Sequence, residues 1–238
     1  MSTLTESASS PTTPARPGPG SNVAFEPGPP LLRGWFHLVG FFLSFPAAGL
    51  LLAAASAPRA RVAVVAYSVG MAALFGVSAA YHRGGWTGSA RRRVRRLDHG
   101  IIFVMIAGSY TPLCLLVLHG TMAIVVLVTV WAGAVGGLIL AVTGVAEKPA
   151  VGMVCYIGLG WLIVIALPQL LDGLSDSELV LLVAGGVVYT VGGVFLATRW
   201  PDPFPRVFGY HEVWHAMVVA AAVCHFLTIV SVVRRSPA

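Results

Sequence analysis

The chain has 238 residues, of which 57% are hydrophobic and 10% charged, with a mean hydropathy of +0.84. A soluble domain clothes its surface with about 25% charged residues, so this composition excludes a soluble enzyme and a disordered polar protein alike. The net charge of +6 does not indicate a nucleic-acid partner, because the basic excess centres on the run Arg91-Arg92-Arg93-Val94-Arg95-Arg96 between apolar segments, which suits a cytoplasmic loop facing anionic lipid.

Met1 to about Pro30 is rich in Ser, Thr, Pro and Gly and cannot bury enough apolar surface to order itself, which predicts a disordered cytoplasmic tail over residues 1–30. It has neither the apolar stretch nor the basic start of a secretory signal, so no cleavage is expected. From Leu31 onward, apolar runs of about 20 residues recur, the length that crosses about 30 Å of hydrocarbon as a helix. Seven such runs fall near Leu31–Ala55, Val62–His82, Asp98–Leu118, Met122–Val142, Gly152–Leu171, Leu179–Arg199 and Val207–Val233. The breaks between them are short, so neighbouring helices are expected to be antiparallel. The absence of long alternating strands disfavours a transmembrane barrel. Residues 31–238 are thus expected to form one all-α, seven-transmembrane-helix bundle.

Three cysteines, Cys114, Cys155 and Cys224, each sit inside an apolar run, which argues against a disulfide framework or a cysteine metal knuckle. Orientation follows from the Lys and Arg count on alternating loops. With the N-terminus inside, the inner side holds Arg16, Arg33, Arg83, Arg91, Arg92, Arg93, Arg95, Arg96, Lys148, Arg199 and Arg206, leaving Arg59, Arg61, Arg234 and Arg235 outside. A cytoplasmic N-terminus and an external C-terminus are therefore expected, in the plasma (inner) membrane.

Ionisable groups inside or at the edge of a span cost at least a few kcal/mol and usually mark function. His82 ends the second run, Asp98 opens the third, and His211 and His215 begin the seventh; the alternating helix directions bring all four to one cytoplasmic depth. His211 and His215 are i and i+4 on one helical face, where two imidazoles can share a metal. Ser78 stands at the same spacing from His82, so its hydroxyl can reach that imidazole or a water near it. Three neutral histidines and a water form the open tetrahedral zinc site used in hydrolysis, with a carboxylate to orient or deprotonate the water. Asp98 is placed for that task. Taken singly, each residue also has a plainer reading: a histidine at a helix end is an interfacial hydrogen-bonding group, Asp98 a helix N-cap, Ser78 a packing residue.

The other histidines fit less well. His225 lies about 21 Å along the seventh helix from His211, His99 is turned about 100° from Asp98, and His119 sits in an outer turn. His37, early in the first helix, is the most plausible secondary participant.

At these residues the sequence resembles a known family. Ser78-Ala79-Ala80-Tyr81-His82, Leu97-Asp98-His99, Ala107-Gly108-Ser109-Tyr110-Thr111-Pro112 and His211-Glu212-Val213-Trp214-His215 look like the hemolysin III proteins of bacteria, which belong with the progestin and adipoQ receptors. Phe36-His37-Leu38-Val39-Gly40, Gly160-Trp161-Leu162 and Gly186-Val187-Val188-Tyr189-Thr190-Val191-Gly192 extend the match over about Leu31 to Val233. The resemblance implies seven membrane helices, an inside N-terminus, and zinc held at His82, His211 and His215. In the wider superfamily, which includes alkaline ceramidases, the positions matching Ser78 and Asp98 complete a proposed lipid amide hydrolase site. The bacterial members are named for haemolysis and are linked to membrane homeostasis.

Two other readings stay open at this point. His211-Glu212-Val213-Trp214-His215 satisfies H-E-x-x-H, in which the glutamate is the general base of a metalloprotease; Leu97-Asp98 would then supply the third ligand. The second alternative is a non-enzymatic sensor or cytolytic protein whose zinc is structural. A retinal-type protein is ruled out because the sole lysine, Lys148, lies between spans. Membrane lipid is the expected substrate or ligand.

Overall fold

The computed structural model describes residues 28–145 and 149–236. Its helices run in the order α1 (Trp35–Ala54), α2 (Pro58–Arg83), α3 (Gly88–Leu116), α4 (Gly120–Thr143), α5 (Pro149–Gly160), a 3-10 segment (Leu162–Ala166), α6 (Leu167–Gly173), α7 (Asp176–Thr198) and α8 (Tyr210–Arg235). Seven spans are long and apolar enough to cross a membrane, the fifth being the broken stretch Val151–Gly173. The described residues form an all-α bundle whose only β feature is an isolated bridge between Phe204 and Phe208. The expected tail over residues 1–30 lies almost wholly outside the described residues, as does Lys148.

Large apolar side chains point outward all round the bundle; Phe42 is 63% exposed and Val180 64%. In water such a surface would drive aggregation, whereas in hydrocarbon it is the required exterior. The protein is a multi-pass membrane protein. α3 holds the centre, touching α2, α4, α5 and α8, while α1 packs on α2 and α8 and closes the ring. One apolar cluster joins residues of α1, α2, α3 and α8 around Tyr67, Met71 and Phe75. A second joins α3, α4 and the fifth span around Phe103, Val130 and Leu170. The α2–α3 contact is close because Gly108 faces α2: a Cβ there would lie 3.1 Å from the Ala66 carbonyl oxygen.

Two expectations are corrected. The third helix begins at Gly88, not near Asp98, so the arginine run is helical rather than a loop. Hydropathy marks only the part of a helix that lies in hydrocarbon, and arginine is a good helix former that can lay its stem along the bundle. The Arg91 guanidinium stands 5.8 Å from the Tyr81 ring centroid, and Arg96 donates to the Val142 carbonyl at 3.2 Å. The fifth span is not one continuous helix either. It breaks at Trp161, where the Tyr110 hydroxyl shares its proton between the carbonyls of Leu159 (2.9 Å) and Gly160 (2.7 Å) and accepts from the Ile163 N–H at 2.8 Å. That one side chain satisfies backbone groups that hydrocarbon could not. The cysteines are free, as expected.

Candidate metal centre

The start of α1, the end of α2 and the start of α8 meet in one layer. Gly34 enters α1 at φ +77°, a left-handed conformation that suits glycine. Its lack of a side chain also lets α1 approach α2, since a Cβ at this position would sit 2.8 Å from the Cβ of His82. The segment before α1 is tied to the segment before α8 by backbone bonds from Leu31 N–H to the Arg206 carbonyl and from Leu32 N–H to the Val207 carbonyl, both 3.1 Å.

In this layer His82, His211 and His215 each offer a ring nitrogen, and the three lie within 4.8 Å of one another. The Nε2 atoms of His82 and His211 are 3.2 Å apart. Tetrahedral zinc with bonds of about 2.0–2.1 Å sets its ligand nitrogens about 3.3 Å apart, so this pair has the spacing a zinc ion requires. One helical turn separates His211 from His215, and their ring centroids are 4.6 Å apart. Three imidazoles are also the donor set of open, catalytic zinc sites. The cluster is a possible metal site, and its residues fit zinc.

Asp98 lies about three turns into α3, so it is not a helix cap. Its Oδ2 is 3.9 Å from His82 Nε2, too far for a hydrogen bond yet at the edge of the cluster. Ser78 is buried, and its hydroxyl lies close to the Asp98 carboxyl. Serine, carboxylate and imidazole thus stand in sequence from α2 through α3 to the cluster.

A family model described as Haemolysin-III related matches residues 25–226. The chain belongs to that family. It is 34% identical to Hemolysin-3 of Bacillus cereus over 197 residues, covering 81% of this chain and 86% of that protein. It is 35% identical to the Hemolysin-3 homolog of Bacillus subtilis (strain 168) over 133 residues, 56% of this chain and 60% of that one. The likeness extends to the human monocyte to macrophage differentiation factor, a progestin and adipoQ receptor relative, at 30% identity over 177 residues, 72% of this chain and 70% of that one.

In this haemolysin III protein the H-E-x-x-H glutamate is committed elsewhere. Glu212 is 1% exposed; its Oε2 accepts from the Gly209 N–H at 2.9 Å, capping α8, and its Oε1 accepts from Arg33 Nε. Arg33 is the functional neighbour that sequence reasoning overlooked. Its only linear signal is a cation immediately before Gly34 and the first span. The remaining histidines divide as expected. His119 is exposed at the start of α4, His225 meets the Leu182 carbonyl at 3.3 Å and the Tyr189 ring, and the carbonyl of His99 accepts from Tyr156. His37, the expected secondary participant, stacks directly on His215 with ring centroids 3.8 Å apart.

Proposed function

We propose that this haemolysin III protein is a zinc-dependent lipid hydrolase of the membrane, acting on an amide-linked lipid of the ceramide class and so serving membrane homeostasis. The observation that carries this reading is the carboxylate of Asp98 beside a cluster of three imidazoles. His82, His211 and His215 would hold the metal. Zinc bound there would supply Lewis acidity. Asp98 Oδ2 is the proton acceptor for the attacking water, within the layer yet not bonded to an imidazole. Ser78, close to the carboxyl, would donate to it and orient Asp98. The surrounding apolar helices admit acyl chains and exclude bulk water. Glu212 takes no part in the chemistry, which argues against the metalloprotease.

The positive-inside count supports a layer near the cytoplasmic face, with the N-terminus inside. The test is to incubate purified, zinc-loaded protein in detergent with a panel of lipid amides and esters and to follow product release by mass spectrometry. Free fatty acid and amine from an amide lipid is the expected result. No release across the panel would leave a sensor or cytolytic protein with structural zinc as the better reading.

A further inference from the structure

His37 is 3% exposed, and neither of its ring nitrogens has a hydrogen-bond partner among the described residues. A neutral imidazole carries one donor and one acceptor, and leaving both unmet in a buried place is costly. Packing fixes this ring. The Phe75 ring lies 5.3 Å away at 60°, and Phe75 is itself seated against Gly40, where a Cβ would lie 3.1 Å from its ring. The His215 ring lies parallel to that of His37, within 1°.

That parallel stack decides what His37 can do. A metal lies near the plane of every imidazole that binds it. Two parallel planes whose ring centroids are 3.8 Å apart share no such point, so His37 cannot join His215 on one ion in this arrangement. Its nitrogens are left for a polar group that the described residues do not supply. We propose that His37 is a positioning residue of the metal centre: its face orients the His215 ring, and a ring N–H donates to the oxygen or nitrogen of the small ligand that the centre takes. The ligand class is a carbonyl, carboxylate or comparable anion. The inference rests on the metal reading above.

The full-length protein loaded with cobalt(II) and titrated with azide tests it. Wild type should take up cobalt, and azide should shift its visible spectrum. His37→Phe keeps the aromatic face and loses the nitrogens, so it should retain cobalt and its band while azide affinity falls about tenfold, the scale of an outer hydrogen bond to a metal site. His37→Gln keeps an N–H donor and loses the stack, so azide binding should persist while the cobalt band moves. Unchanged azide affinity in His37→Phe would overturn the proposal, and loss of cobalt there would make His37 a ligand instead. In His37→Gln, an unmoved band with azide binding abolished would overturn it independently, even if the phenylalanine variant did not fold. Failure of wild type to take up cobalt would instead sink the metal reading itself.

Discussion

The carboxylate of Glu212 is paired with Arg33, a residue 179 positions earlier in the chain. A general base has to be free to accept a proton from water, and both oxygens of this carboxylate are already used, one by the arginine and one by the first N–H of the α8 cap. The motif that reads as a protease signature is here a joint between the first and last helices. Asp98, with no such commitment to an Arg or Lys among the described residues, is left as the carboxylate beside the imidazoles.

Metal content should follow the histidines of the cluster. His82→Ala, His211→Ala and His215→Ala should each purify with little zinc, whereas His119→Ala and His225→Ala should keep it, as measured by atomic absorption on protein in detergent. Coordination requires neutral imidazoles, so acidification should release zinc and returning to neutral pH should restore binding. Full zinc in all three cluster variants would rule the site out.

The two carboxylates should separate cleanly. Asp98→Asn leaves three imidazoles for the metal but removes the proton acceptor, so zinc should stay and any lipid hydrolysis should drop by about 100-fold or more. Glu212→Gln should keep zinc and activity but lower stability by about 1–3 kcal/mol, because a buried acceptor loses its charge opposite Arg33. The comparison is made by metal content, product release and thermal unfolding on the same preparations. Abolished activity in Glu212→Gln with zinc intact, together with metal loss in Asp98→Asn, would restore the protease reading.

Topology can be read with reporters. A cysteine or enzyme tag within Arg91–Arg96 should report the cytoplasm, and one fused after Arg235 should report the outside. The opposite pattern would place the histidine layer at the outer face and contradict the basic-residue count.

Tyr110→Phe should loosen the fifth span. Removing the hydroxyl leaves the Gly160 carbonyl and the Ile163 N–H without this partner, a change of about 1–3 kcal/mol for a buried polar group. Hydrogen exchange over Leu162–Ala166 should quicken while exchange in α2 stays as in wild type. Equal exchange at the break would show that water or neighbouring backbone takes over the role of the tyrosine.

Much of this arrangement is legible in a linear reading because membrane helices repeat a simple rule. Apolar length gives the seven spans, and alternating direction puts His82, Asp98, His211 and His215 at one depth before any contact is known. What that rule cannot deliver is anything decided by a side chain from another helix. The break at Trp161 is stabilised by Tyr110 on α3, and the commitment of Glu212 depends on Arg33 near the other end of the chain. The N-terminal extension of α3 escapes the rule for a different reason: arginines lower hydropathy without ending a helix. His37 reads only as a secondary participant in the sequence, because spacing says nothing about which ring it faces.

The joint at Arg33 also bears on biogenesis. Ribosomes deliver α1 and α2 to the membrane long before α8 exists, so Leu31, Leu32 and Arg33 lack Arg206, Val207 and Glu212 for most of synthesis. Two of the three cluster imidazoles arrive with α8 as well. A chain stalled before Tyr210 would therefore carry six spans, an unclosed ring and an arginine with no carboxylate to meet, and it would bind metal poorly. Zinc retention would thus distinguish completed molecules from truncated ones, giving a cell or an experimenter a chemical mark of finished assembly.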